Sequence, residues 1–382
     1  MKRFLKIALL TSDARESFKN YQAQEPYFGT APQGLIDGFS DFPEIEVHVI
    51  SCSRIPLPAS TKLAENIWFH QPVVGKWGWG RSLFIGCALA TRELIYKLKP
   101  DIVHGQGTER DCAMAAVLSG CPNVLTIHGN MRVHAKRGEN RGAAYYKLAA
   151  ALEGFCLKRT DGVVAISRYT EDLVKGITPR TWFLPNAVDR RYFNVEATPP
   201  ARPRLLFVGS ICERKNPIGL IRACEPMLRS GECTIAFAGD GSPQSAYRKE
   251  FNALLETLPG LELLGFLDRD ALGEEFRRTS ILVLPTFEDN CPMVVLEAMA
   301  AGLPVAASQV GGIPDLITHG RDGLMFDPHE PSDVKACIER LVREPALGAR
   351  LGAQGRITAM ERFHPKIIAG EHLKIYREVL GR

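Results

Sequence analysis

What most constrains this chain is the alternation, end to end and in two series, of short apolar runs with helical stretches. In the first series, Lys6–Leu10, Val47–Ile50, Ile102–His104, Val124–Ile127, Val163–Ile166 and Trp182–Leu184 read as strands. In the second, the strands are Leu205–Val208, Thr234–Ala238, Leu261–Leu264, Ile281–Leu284, Val305–Ala307 and Leu324–Phe326. A strand with one wet face alternates apolar and polar residues, whereas these runs are apolar throughout. The pattern predicts parallel sheets covered by helices on both faces. The clearest helix is Arg81–Leu98, with Leu83, Phe84, Cys87, Leu94, Ile95 and Leu98 on an apolar face and Pro100 after its end. Between the two series, Asn194–Arg204 carries three prolines and no periodicity, which reads as a linker.

The expectation is therefore an α/β protein of two doubly wound, Rossmann-like domains facing across a cleft, residues 1–194 and 204–363. A length of 382 residues suits two domains. With 45% hydrophobic and 24% charged residues the chain is not disordered, and no run approaches the ~18 apolar residues of a membrane span. The basic N-terminus leads only into Ile7–Leu10, too short for a signal-peptide core. Ten scattered cysteines, without a CxxC pair or a Cys/His cluster at zinc spacing, suggest reduced thiols and a cytoplasmic protein. The net charge of +4 permits anionic substrates or peripheral contact with a membrane surface, and does not call for nucleic acid.

Three stretches could carry chemistry. Thr286–Ser308 has acids at Glu288, Asp289 and Glu297, then a helix over Met293–Ala301 stopped by Gly302-Leu303-Pro304. The open amides of that helix start can hold hydroxyls or phosphate, and Glu297 can bind vicinal hydroxyls. Acids are also common at helix starts for their charge alone. Phe207–Ala223 combines a glycine turn, the cations Arg214 and Lys215, and a helix. It reads as a phosphate loop or as a solvated basic turn. Gly239-Asp240-Gly241 is a tight turn after a strand, weak evidence by itself.

Together these stretches resemble the retaining family-four glycosyltransferases, which have the GT-B fold. Thr286–Ser308 is similar to their acid-x7-acid motif. That spacing puts Asp289 at the first acid, where Glu is usual, with Asn290, Cys291 and Pro292 after it. Glu288 falls one residue early, and Glu297-Ala298-Met299-Ala300 matches the second half. Phe207–Ala223 resembles the loop that holds the donor's pyrophosphate: Lys215 lands on the phosphate-binding lysine, Ser210 replaces a common arginine, and Arg214 can compensate. The resemblance further implies donor contacts at Gly239, Asp240, Phe266, Leu267, Cys291, Pro292, Met293 and Val294, with Phe266 and Leu267 at the nucleobase. In the first half, Asp101–Gly107, Thr126–Asn130, Ala165–Thr170 and Leu184–Phe193 resemble family landmarks in order. His128, before Gly129, is similar to the family's histidine near the donor sugar, and Gly29-Thr30 stands where a glycine pair approaches the phosphates. The resemblance implies that the first domain binds the acceptor and the second the nucleotide-sugar donor, with a C-terminal helix, about 364–382, packing back on the first.

The implied activity is transfer of a sugar, with retention, from a UDP- or GDP-linked donor to a glycan or lipid-linked acceptor. His128, Asp289, Glu297 and Lys215 are its catalytic candidates, and no further cofactor is expected. No divalent metal is expected either, since no Asp-x-Asp is read beside a donor loop and Lys215 and Arg214 can meet the phosphate charge. A nucleotide-sugar epimerase of the same fold, or a two-lobed sugar-binding protein without turnover, are the alternatives. A Rossmann dehydrogenase is disfavoured by the lack of GxGxxG after the first strand. Two segments stand apart. The basic stretch Arg132–Lys147 suits an anionic acceptor or a solvated loop, and Lys76–Ala90 has Trp77 and Trp79, which can stack on sugar, meet a membrane interface or simply pack.

Overall fold

The computed structural model describes residues 4–108, 110–137, 143–198 and 200–382. The chain divides into two compact units, 1–187 with 365–382, and 188–364.

Among the described residues the first unit holds eight strands: β1 Leu5–Leu10, β2 Ile45–Ile50, β3 Lys62–Ala64, β4 Ile67–His70, β5 Ile102–Gln106, β6 Asn123–Ile127, β7 Gly162–Ala165 and β8 Thr181–Phe183. They lie in the order β3-β4-β2-β1-β5-β6-β7-β8, parallel except for the edge strand β3. Successive residues of β1 explain the unbroken apolar runs. Ile7 and Leu9 join Val47 and Val49 in a core on one face, while Ala8 and Leu10 join Ile50 and Val103 in a core on the other. The terminal helix Pro365–Val379 covers the first of these faces with Ile368, Leu373 and Tyr376, all nearly inaccessible. It lies against the helix Thr30–Phe39, where Gly38 lets the backbones meet: a Cβ there would stand 2.1 Å from the Pro365 carbonyl oxygen.

The second unit holds β9 Arg204–Val208, β10 Thr234–Ala238, β11 Leu261–Gly265, β12 Ile281–Leu284, β13 Val305–Ser308 and β14 Leu324–Phe326. All are parallel, in the order β11-β10-β9-β12-β13-β14. Leu205, Phe207, Ile235 and Phe237 pack on one face with the helix Pro217–Ser230. The helix Met293–Ala300, with Leu296 and Met299 inaccessible, follows β12 directly.

Three features differ from the sequence reading. The boundary falls between Ala187 and Val188, not after Asn194. Residues 188–195 are tied into the second unit, because Val188 N–H donates to the Phe363 carbonyl (3.0 Å) and Arg356 donates to the carbonyls of Phe193 and Val195. The helix expected from Arg81 starts at Ile85, because Leu83 (φ 54°) and Phe84 (φ 64°) are left-handed. Its buried side is Cys87, Ala88, Thr91 and Ile95, whereas Leu83 is exposed. The short strands β3 and β4 were not foreseen. Among the described residues, no helix is long and apolar enough to cross a membrane.

Candidate functional site

In the second sheet the chain order reverses at β9, which has β10 on one side and β12 on the other. Ligands of doubly wound sheets bind at the carboxyl ends of strands flanking such a reversal. The loops leaving β9 and β12 meet there. Phe287 N–H donates to the Arg214 carbonyl (2.8 Å), Thr286 Oγ1 donates to the same oxygen (3.1 Å), and Arg214 Nη1 donates to the Glu288 carbonyl (3.0 Å). Lys215 Nζ forms an ion pair with the Asp289 carboxylate, each side chain being about 15% exposed. Asp289 is itself pinned, since its carbonyl accepts from Gly312 N–H (3.0 Å) and a Cβ on Gly311 (φ 57°) would sit 1.9 Å from that oxygen.

Three further segments complete the surroundings. Asn216 (φ 56°) caps the helix Pro217–Ser230, its Oδ1 accepting from Gly219 N–H at 3.1 Å. Gly239 (φ 136°) lets the end of β10 approach the β9 turn, where a Cβ would stand 2.2 Å from the Gly209 carbonyl oxygen. Ser210 and Asp240 are exposed beside it. The helix Met293–Ala300 begins after Pro292 with no side-chain cap, so its first amides are open to an acceptor. Cys291, Pro292 and Val294 are buried, and Met293 is half-buried. Phe266 and Leu267 follow β11, the first exposed and the second half-buried.

Glu297 is 3% exposed, and no hydrogen bond or ion pair reaches its carboxylate among the described residues. Burial pushes its pKa up to about 8, with Asp189 adding to the rise and Arg269 and Arg191 opposing it. Arg191 does not neutralise Glu297, because it is engaged by Asp189 (Nε to Oδ2, 2.9 Å) and by Asp270. Among the described residues the buried Tyr192 hydroxyl has no hydrogen-bond partner, and burial and the nearby Glu297 push its pKa up. A buried, unpaired carboxyl next to open helix amides can receive vicinal hydroxyls and an anion together.

His128, Gly29 and Thr30 belong to the first unit. His128 Nε2 lies 2.8 Å from Gln106 Oε1, an acceptor, so Nε2 carries the proton. Burial and His372 push the pKa of His128 down to about 4, which leaves it neutral at pH 7. Gln106 continues to His104, which meets Tyr376 (2.5 Å) and Thr126 (2.7 Å) and is inaccessible. Gly29 starts the helix Thr30–Phe39, its carbonyl accepting from Gln33 N–H (2.9 Å). The basic stretch Arg132–Lys147 runs through 138–142, which lie outside the described residues.

An Asp-x-Asp sequence does occur after β11, at Asp268–Asp270, contrary to the sequence reading. Asp268 Oδ1 caps the helix Arg269–Arg277 by accepting from Ala271 N–H (2.8 Å), and Asp270 pairs with Arg191. Asp189, Arg191, Tyr192 and Arg269 were missed as neighbours of Glu297. The Asp-x-Arg spacing at 189–191 was the available signal, since Asp189 closes a turn on its own Arg191 N–H (2.9 Å).

Residues 202–344 match the family described as Glycosyl transferases group 1, and residues 43–192 match Glycosyltransferase Family 4. An uncharacterized glycosyltransferase of Methanocaldococcus jannaschii is 26% identical over 297 residues, spanning 74% of this chain and 79% of that protein. The alpha-maltose-1-phosphate synthase of Mycolicibacterium smegmatis is 27% identical over 294 residues, 70% of this chain and 75% of that protein. Among solved structures, sucrose-phosphate synthase from Thermosynechococcus elongatus superposes with a TM-score of 0.77 at 19% identity, spanning 98% of this chain and 99% of that one. Anabaena HepE in complex with UDP and glucose gives 0.69 at 17% identity over 97% and 99%. These likenesses establish the two-domain GT-B fold.

Proposed function

We propose, for a chain that belongs to the group 1, family 4 glycosyltransferases, that it transfers a sugar from a nucleoside-diphosphate donor held in the second unit, with retention at the anomeric carbon. The observation carrying this is the Lys215–Asp289 pair and the unpaired, buried Glu297 around the reversal between β9 and β12. The diphosphate takes Lys215 from Asp289, and the open amides of Met293 and Val294 add to its hold. Glu297 accepts from the ribose hydroxyls, which give a buried carboxyl the partners it lacks. Asp289, released from Lys215, orients the donor sugar. As the sugar–phosphate bond breaks, Lys215 and Arg214 stabilise the charge on the departing diphosphate. The bound UDP and glucose of HepE support a UDP-linked donor.

The test is calorimetric titration with UDP, GDP and ADP. UDP binds, and Lys215→Ala weakens UDP at least tenfold, about 1.4 kcal/mol, while uridine binding is unchanged. A protein that binds no nucleoside diphosphate, or a Lys215→Ala variant that binds UDP as well as wild type, refutes the assignment.

A further inference from the structure

Two thiols and a carboxylate converge within the first unit. Cys52 follows β2, Cys87 lies in the first turn of the helix Ile85–Leu98, and Asp111 opens the helix Asp111–Val117. One ligand atom of each, the two Sγ atoms and a carboxylate oxygen, lies within 4.8 Å of the other two. Among the described residues this is the one group of three or more His, Cys, Asp or Glu side chains so converged. Sulfur and oxygen ligands of one tetrahedral zinc-sized ion stand about 3.5–3.8 Å apart, so side-chain movements of roughly 1 Å bring all three to bonding distance.

Packing places these groups, and weak bonds hold them. Gly86 brings the helix start against Gly78, where a Cβ would come within 2.3 Å of the Gly78 Cα, and Cys87 Sγ donates to the Gly78 carbonyl at 3.5 Å. Cys52 Sγ lies 3.8 Å from the Cys87 carbonyl oxygen and 3.5 Å from Thr91 Oγ1, one helical turn further on. Such sulfur contacts are weak, so an ion displaces them at little cost. Asp111 is 6% exposed, and among the described residues its buried Oδ1 has no hydrogen-bond partner. Its nearest cation is Arg110, Nε at 3.9 Å. A buried carboxylate oxygen left in that state is costly, and a bound cation supplies what it lacks. Cys52 and Asp111 line a cavity of about 540 Å³, which gives an ion a route in, while Cys87 is inaccessible.

We propose that Cys52, Cys87 and Asp111 form a binding site for a thiophilic divalent cation of the zinc class, its fourth coordination position open to the cavity. The donor set selects the ion: two sulfurs and one oxygen suit zinc, whereas magnesium and calcium require oxygen ligands. Both thiols bind as thiolates and give their protons to solvent. Three negative ligands around a doubly charged ion leave one negative charge, which the Arg110 guanidinium offsets. The ion ties the end of β2 to two helices, so it resists their local opening. The site goes beyond the transferase reading and does not rest on it, since neither donor binding nor transfer calls for this ion.

The experiment is titration of the full, phosphine-reduced chain with zinc against a chromophoric chelator, without nucleotide. One zinc binds per chain, and cobalt in its place shows a thiolate-to-metal charge-transfer band. Cys52→Ser and Cys87→Ser each weaken zinc by at least the roughly tenfold that even an outer-shell change costs, and the band fades. A second readout needs no variant. Cys52, Cys121 and Cys212 are the half-buried cysteines. Zinc slows alkylation of Cys52 by iodoacetamide about tenfold, because a metal-bound thiolate is not a free nucleophile, and leaves Cys121 and Cys212 at their own rates. Zinc binding that survives both serine substitutions, or an unchanged alkylation rate at Cys52 in saturating zinc, overturns the proposal. Displacement of the zinc by an equal concentration of magnesium overturns the class of ion.

Discussion

Replacing Glu297 by Gln keeps the shape of a buried side chain and removes its titration. The carboxyl has an ordinary value of 4.5 and is raised to about 8 in the fold, chiefly by burial. A raised folded value means that the native state holds the proton more tightly than the unfolded chain. The stabilisation this gives is complete below pH 4.5, declines as pH rises, and is gone above about 8. Each pKa unit is worth about 1.4 kcal/mol, so the wild-type protein loses on the order of 5 kcal/mol across that window while Glu297→Gln does not. In a unit of this size 1 kcal/mol moves Tm by about 2–4 °C, so the variant gains roughly 10 °C or more on wild type between pH 4.5 and pH 9. Differential scanning calorimetry of both proteins across that range is the assay. Parallel Tm curves for the two proteins would show that Glu297 finds a charge partner in solution, and the account of an unpaired carboxyl would fall.

Four more outcomes follow from the same geometry. UDP binding near pH 7 releases a proton from wild type and none from Glu297→Gln, because ribose hydroxyls favour the ionised carboxylate; calorimetry in buffers of different ionisation heat reads the difference. Asp289→Asn frees Lys215 and leaves UDP affinity unchanged or tighter while transfer falls at least tenfold, about 1.4 kcal/mol of transition-state stabilisation; Glu288→Gln retains both, and the reverse pattern in enzyme assays moves the acid to Glu288. Donor hydrolysis persists in excess chelator, since Lys215 and Arg214 meet the leaving charge; activity lost to chelator and restored by magnesium or manganese refutes this. Gly38→Ala drives a methyl group into the Pro365 carbonyl and destabilises the terminal helix by about 1–3 kcal/mol, seen as faster limited proteolysis near residue 365.

What sequence made legible was whatever repeats locally. Strands such as Ile281–Leu284 and Thr234–Ala238 carry their own pattern, because a strand buried on both faces is apolar at every residue. The edge hairpin β3–β4 does not: Lys62 is exposed and Leu63 and Ala64 are half-buried, so the segment looks like loop. The start of the helix at Ile85 was hidden because Leu83 and Phe84, apolar residues that fit the helical pattern, are left-handed, their amides donating to the Gly80 and Trp79 carbonyls of the preceding turn. At the site, the types and spacing of Lys215, Asp289 and Glu297 were legible. Their electrostatics were not, since the ammonium of Lys215 meets a carboxylate 74 positions away. The isolation of Glu297 likewise depends on Arg191 being held by Asp189 and Asp270, which no linear pattern announces.

The terminal helix has a consequence for biosynthesis. A chain made from its N-terminus usually folds domain by domain in the order of synthesis. Here Ile368, Leu373 and Tyr376 belong to the core of the first unit, beside Leu35, Ile36 and Phe39 of the helix Thr30–Phe39, so that core lacks one wall until residues 365–379 have been made. The second unit, complete at residue 364, has all its strands before the first unit has all its core. A nascent chain stalled in this interval, or a product nicked near residue 365, leaves the core without its contact between Tyr376 and Phe39 and opens apolar surface on the helix Thr30–Phe39. That is the surface chaperones would engage, and loss of residues 365–382 should cost far more soluble protein than their number suggests.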